Sequence, residues 1–260
     1  MGHGIAKVDN VGQPAQVTVT DASFWDFLYT TSTVRHQRYN IGDRVVLPDG
    51  RVFRYAKAGA AIASTDLAVS FASAAKVSYE TVRAASAIST REVYIDEASL
   101  TEDELRGGYL IVFKNGASTH CVRGIIGNTA SDASDHVVIY LDASLPYALT
   151  TSDNVEVMSN PYSDVRQTNF GGLASFAGMP AKDAASGAYL WVQTWGPCWC
   201  APQATVAAAA YVRSVYFRHD GSLDVRATIG TFVTDQCAGF VLDYSPSGQG
   251  PPLIMLQVSP

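Results

Sequence analysis

Three times along its 260 residues this chain sets Asp-Gly or Asn-Gly between two runs of strand-forming residues: Asp49-Gly50, Asn115-Gly116 and Asp220-Gly221. Such dipeptides accept the positive φ of a tight turn, and between Val, Ile, Phe and Tyr they are the strongest short-range sign of a hairpin. Arg44-Val45-Val46-Leu47 enters the first tip and Arg51-Val52-Phe53-Arg54-Tyr55 leaves it. Tyr109-Leu110-Ile111-Val112-Phe113 and Thr119-His120-Cys121-Val122-Arg123 flank the second. Tyr211-Val212-Arg213-Ser214-Val215-Tyr216-Phe217 and Leu223-Asp224-Val225-Arg226 flank the third. Further strands are expected at Glu92-Val93-Tyr94-Ile95-Asp96, at Val137 to Leu141, at Val155 to Met158 and in the apolar run from Leu253 to Val258. Short strands about 8–12 residues apart with turn residues between them imply an all-β chain built of barrels or sandwiches.

The stretch Gly187-Ala188-Tyr189-Leu190-Trp191-Val192-Gln193-Thr194-Trp195-Gly196-Pro197-Cys198-Trp199-Cys200 adds a strand with two occupied faces, since residues that favour strands alternate along it. Gly196-Pro197 is expected to end it, because proline has no amide hydrogen for a ladder. Its three indoles carry too much apolar area to stay in water. Trp191, Trp195 and Trp199, with Tyr189 and the upstream Trp25 and Phe27, are therefore the candidate core or subunit-interface residues. Stacking on sugars or bases is the rival reading, and the apolar, non-basic neighbours favour packing.

Alternation in the first return strand places Arg51, Phe53 and Tyr55 on an exposed face, with Val52 and Arg54 opposite. Arg44, Arg51 and Arg54 read either as a binding patch or as a solvated strand face. Residues 1–40 are expected to form an N-terminal arm, extended over residues 1–23, and an aromatic cluster at Phe24, Trp25, Phe27, Leu28 and Tyr29 that reads either as its anchor or as an internal strand or turn capping the core; residues 41–165 are expected to form a β-rich domain. Residues 166–186 then serve as a connecting segment, and residues 187–260 as a small C-terminal β-barrel. The alanine-rich stretch 56–87 is broken by glycine, serine and threonine, which favours loop and short strand over helix.

Charged residues make up only 16% of the chain, and the net charge is −6. A surface so poor in charge suits packing against protein, and an acidic chain without a basic run is not an electrostatic nucleic-acid binder. No apolar run of about 18 residues indicates a membrane span, and no charged-then-apolar leader opens the chain. No nucleic-acid or membrane partner is expected.

Chemistry leaves few marks. The nucleophile elbow, the phosphate-binding loop and the paired-histidine zinc helix are missing from the sequence, so neither an enzyme nor a cofactor is expected. Cys198 and Cys200 stand too close for most structural zinc sites, and Cys121, Cys198, Cys200 and Cys237 are expected to be buried free thiols. Asp135-His136 is expected to be a turn pair, His219 to lie in solvent beside its hairpin tip, and Asp132, Asp135 and Asp142 to be solvated rather than to hold calcium.

The Gly-x-Tyr-x-Trp-Val-Gln-Thr-x-Gly pattern of residues 187–196 resembles one in virion structural proteins of tailed bacteriophages, in the group that includes small β-rich capsid decoration, or cement, proteins. The likeness continues in Asp49-Gly50-Arg51-Val52-Phe53-Arg54-Tyr55-Ala56 with Ala58-Gly59-Ala60, and in Gly107-Gly108-Tyr109-Leu110. It returns in Gly127-Asn128-Thr129-Ala130, in Leu141-Asp142 and in Leu149-Thr150-Thr151. The order of elements after residue 187 is similar to the small barrel of decoration proteins that trimerise. The cysteine pair beyond Trp195 lies outside the pattern. The resemblance implies a homotrimer on the capsid exterior of a virion, bound to the major capsid protein and stabilising its lattice. A head-fibre or receptor- and glycan-binding protein, or a tail or connector component, is the alternative.

Overall fold

The computed structural model describes residues 7–8, 16–18, 22–72, 75–167, 174–203, 206, 212–225, 233–243 and 252–260. Most of the arm before residue 22, and all but Val233 of a strand expected at Ile229-Gly230-Thr231-Phe232-Val233, lie outside them. The chain is all-β, with 46% of its residues in strands and 3% in helix, and its two curled, almost wholly antiparallel sheets form half-barrels. It divides into two compact units. Unit 1 comprises Met1–Val8, Ala15–Ala72 and Tyr162–Pro260; unit 2 comprises Asp9–Pro14 and Ser73–Pro161.

Unit 2 holds a six-stranded sheet of β6 (Ala75–Thr81), β7 (Glu92–Asp96), β8 (Tyr109–Phe113), β9 (His120–Asn128), β10 (His136–Leu141) and β11 (Asn154–Met158), in the order β6-β11-β8-β9-β10-β7. The Asn115-Gly116 hairpin forms as expected, with Phe113 opposite His120 and Gly116 at φ 71°. Alternation sends Leu110, Val112, Ile125, Val137, Ile139, Val155 and Val157 into one core. The acidic turn before Gly107 is fixed by Asn128: its Oδ1 accepts from the Leu105 amide at 2.8 Å, and its Nδ2 donates to the Thr101 carbonyl at 2.9 Å. A buried side-chain amide satisfied in this way costs the core little.

Unit 1 is organised around β14 (Tyr189–Trp199). One edge of β14 pairs antiparallel with β4 (Val52–Lys57), which continues the Asp49-Gly50 hairpin from β3 (Arg44–Val46). The strand also pairs with β13 (Phe176–Pro180), and beyond it with β18 (Leu253–Gln257), which leads to β17 (Val233–Asp243). β15 (Ser214–Arg218) and β16 (Leu223–Asp224) form the third hairpin. β1 (Lys7–Val8) and β2 (Gln16–Thr18) extend the sheet beyond β3, with β2 parallel to it. β5 (Val69–Phe71) joins β12 (Val165–Arg166) to β13.

Several expectations are corrected here. The first hairpin does not belong with residues 73–161: its return strand is bonded to the tryptophan strand, so the division falls at residues 72 and 162 rather than at 40, 165 and 187. The proposed connecting segment contains β13, all five of whose positions are buried. The aromatic cluster is neither strand nor turn over most of its length but a short helix, α1 (Ala22–Leu28). Phe53 and Tyr55 are not exposed; they are 1% and 3% accessible, because β4 has side chains packed on both faces.

Gly196-Pro197 does not end β14 either. Pairing with β4 stops at Trp195 opposite Val52, while pairing with β18 runs on to Trp199 opposite Leu253. From Gly196 onward the strand has one ladder neighbour among the described residues, and proline is tolerated where its missing N–H points away from the ladder.

Candidate interaction surface

The first half of β14 builds a sealed aromatic cluster. Trp191, 1% accessible, lies at ring-centroid distances of 5.0 Å from Tyr55, 5.1 Å from Tyr39 and 6.1 Å from Phe27. Tyr189 stacks on Tyr55 at 5.8 Å, and the Arg51 guanidinium lies 5.0 Å over the Trp25 ring. A two-bond backbone bridge between Ser32 and Tyr189 pins the segment after α1 to the edge of β14. Of the six aromatic residues singled out from the sequence, Trp25, Phe27, Tyr189 and Trp191 thus meet in one cluster. Leu28, expected in the same anchor, joins them, while sequence reasoning missed Tyr39. Phe24, Phe27 and Leu28 recur at i, i+3 and i+4 behind an Asp21 of N-cap type, and that signal could have found the helix.

The second half of β14 does the opposite. After a register shift between Gln193 and Trp195, Cys198 and Cys200 point into a core with Ile254, Leu256, Phe217 and Val241. Trp195, Pro197 and Trp199 occupy the alternate positions, opposite Gln257, Met255 and Leu253. Met255 in turn faces Phe240 on β17. Trp199 is 38% accessible, Leu253 39%, Phe240 39% and Leu242 46%. The row Pro197–Met255–Phe240 therefore crosses three adjacent strands without a charged or hydrogen-bonding side chain, and Asp243 marks its border. Trp199, expected to be covered, stands on this outer face. Contiguous apolar surface of this kind on a folded sheet marks an interaction site, whereas scattered single residues do not.

The thiols divide. Cys121, Cys198 and Cys200 are buried as expected, but Cys237 is exposed. Burial pushes the Cys198 thiol up to about 12 and Cys200 well above its usual range, so neither is a nucleophile at neutral pH. No group of three or more His, Cys, Asp or Glu placed to hold a metal occurs among the described residues. Asp132 instead accepts from the amides of Ser134 and His136 at 2.8 Å and 3.0 Å and meets His136 Nδ1 at 3.1 Å, so the Asp135-His136 pair closes a turn. His219 is half-buried, not exposed.

The three arginines of the first hairpin separate. Arg51 is tied to Asp49 at 2.7 Å and faces the aromatic cluster. Arg44 and Arg54 stand opposite each other, half-buried, so they form no solvated strand face.

No helix among the described residues is long and apolar enough to cross a membrane. No known protein family, curated protein or solved structure matches the chain.

Proposed function

We propose that this chain is a structural protein of a tailed-phage virion, a capsid decoration protein that works by binding rather than by catalysis. The observation that carries this reading is the outward apolar face on β14, β18 and β17, centred on Met255 between Pro197 and Phe240. Obligate homo-oligomer interfaces are more apolar than transient ones, so this face is the self-association surface of a closed, cyclic homotrimer. The low-charge remainder of the surface contacts the major capsid protein. Binding that exists only on the assembled lattice stabilises the shell by mass action and leaves its separated parts untouched. The resemblance of residues 187–196 to virion proteins supports the same reading.

Light scattering coupled to size-exclusion chromatography is expected to give three times the mass of the chain. Added to heads stripped of accessory proteins, the purified protein is expected to bind in fixed copy number and to raise their heat resistance. A monomer that leaves head stability unchanged overturns the proposal. Quenching of Trp199 fluorescence by oligosaccharides without head binding would assign a glycan-binding fibre instead.

A further inference from the structure

The register of β3 and β4 sets Arg44 directly opposite Arg54. Side chains so paired start from Cβ atoms about 4.5–5.5 Å apart, and like charges there repel. A carboxylate would ordinarily stand between them, yet the Arg44 and Arg54 guanidiniums make no ion pair with any described residue, while neighbouring Arg51 takes Asp49. The terminal nitrogens of Arg54 donate to neutral oxygens, the Gly42 carbonyl at 3.3 Å and the Ser259 hydroxyl at 3.1 Å. Its guanidinium carbon lies 5.6 Å over the Tyr162 ring.

The Nε atoms of both arginines are shut off from solvent with no hydrogen-bond acceptor among the described residues. The strand neighbour on the other side of Arg54 is Val192, which with Ile41 and Tyr162 belongs to an apolar cluster. Two guanidiniums on one strand face are thus taken partly out of water beside an apolar wall, and neither has an ion-paired carboxylate among the described residues. Burial, then the nearby Arg54, lowers the pKa of Arg44, as this crowding of positive charge requires. Both residues remain half-accessible, so an ion can enter.

We propose that Arg44 and Arg54 form the two jaws of a binding site for a small oxyanion, a carboxylate or a tetrahedral sulfate or phosphate. Guanidinium groups are planar forks that match paired oxygens, and two forks facing each other can share one such group. The site makes no use of the apolar face and does not depend on the virion reading.

Thermal unfolding of the full chain tests it at constant ionic strength, with chloride replaced stepwise by sulfate, phosphate or acetate. The expected result is a saturable rise in Tm with at least one of these anions. Saturation by acetate alone assigns a carboxylate, and saturation by sulfate or phosphate alone a tetrahedral ion. Arg44→Gln and Arg54→Gln are each expected to weaken half-saturation at least tenfold. Each should also raise Tm in chloride alone, because the repulsion is relieved; a merely structural arginine would lower it. Arg91→Gln, at an exposed position in unit 2, keeps the wild-type response. If no anion outperforms chloride, or if the response survives in the jaw variants, the site does not exist. Should one jaw variant fail to fold, the other is read beside calorimetric titration of the wild-type chain with sulfate.

Discussion

The two units solve the same problem, covering a curled sheet, in opposite ways. The described part of unit 2 is one run of chain from Ala75 onward, and β8, β9 and β10 follow one another both in sequence and in the sheet. Its outer rows mix character: Ile111 lies between Glu156 and Val122, and Phe113 between Asn154 and His120. Unit 1 is stitched from distant pieces, with β4 bonded to β14 and β14 to β18. Its central strand seals aromatics at one end and displays them at the other. Local pairing keeps a unit self-sufficient. Long-range pairing lets one strand serve both a core and a surface, at the entropic cost of closing long loops.

The comparison breaks first at Trp191. Truncating a buried Trp to Ala typically costs about 3–5 kcal/mol, the lost transfer energy plus the cavity left behind. Trp191→Ala removes the ring against which Tyr39, Tyr55 and Phe27 all pack. Hydrogen exchange is expected to show lost protection in β4 and β14, with amides of β8 and β9 unchanged. Equal loss in both units would mean that they fold as one.

Unit 2 has its own point of failure in Asp153, whose side chain is 1% accessible. Burial alone would raise the pKa of this carboxyl. Hydrogen bonds from Lys114 Nζ at 2.6 Å, the Thr150 amide at 2.7 Å and the Asn115 amide at 2.8 Å outweigh burial and hold it at about 2. A folded-state pKa below the unfolded value of ~3.9 contributes stability that is complete above the unfolded value and is lost as pH falls through the folded one. The loss amounts to about 2–3 kcal/mol in all, spread from about pH 5 to about pH 1. Urea titrations across that window should show it in unit 2. Asp153→Asn should flatten this pH dependence and lower stability at pH 7.

How far the sequence foretold each unit follows the same divide. β7 and β8 were legible to the residue, and β9, β10 and β11 nearly so, because alternation and an Asn-Gly tip are local signals; the pairing of β6 with β11, which sets Ala75 opposite Met158, was not. In unit 1 the hairpin tips were equally legible, but the bond between Tyr55 and Trp191 was not. Nothing in either local pattern names a partner more than a hundred residues away. Phe53 and Tyr55 read as exposed because Arg54 and Lys57 interrupt the apolar run by which a strand covered on both faces is ordinarily recognised. Pro197 misled because a proline reads as a stop unless the absence of a second ladder neighbour is known. Four of the six aromatic residues meet in one cluster, yet sequence could not say that Trp199 faces outward, because the shift after Gln193 is a property of the paired strands.

The hairpin tips offer a smaller test. Gly116 and Gly221 both have positive φ, 71° and 85°. A Cβ at Gly116 meets nothing within 4 Å, but one at Gly221 would stand 2.6 Å from the Ala68 carbonyl oxygen. Gly116→Ala is expected to cost roughly 1–2 kcal/mol, the left-handed backbone penalty alone. Gly221→Ala should cost more, because backbone of β5's neighbourhood must also move. Parallel denaturant titrations compare them, and equal costs would show that the Ala68 contact yields freely.

The smallest effect on folding should accompany the largest effect on assembly. Phe240 and Leu253 are exposed, so replacing both with Ser removes little packing within the chain, and surface changes of this kind usually stay within about 0.5 kcal/mol. On the proposed trimer face the same substitutions remove the centre of an apolar contact, where a few residues carry most of the binding energy. Phe240→Ser with Leu253→Ser is therefore expected to leave the denaturation midpoint of an isolated chain nearly unchanged while shifting the mass in solution from trimer to monomer. Tyr109→Ser with Met158→Ser makes the matching change on unit 2, where the two side chains are likewise exposed and opposite each other. If the unit 2 pair dissociates the oligomer and the unit 1 pair does not, the assembly surface belongs to the locally built sheet. The division of labour drawn between the two units would then be reversed.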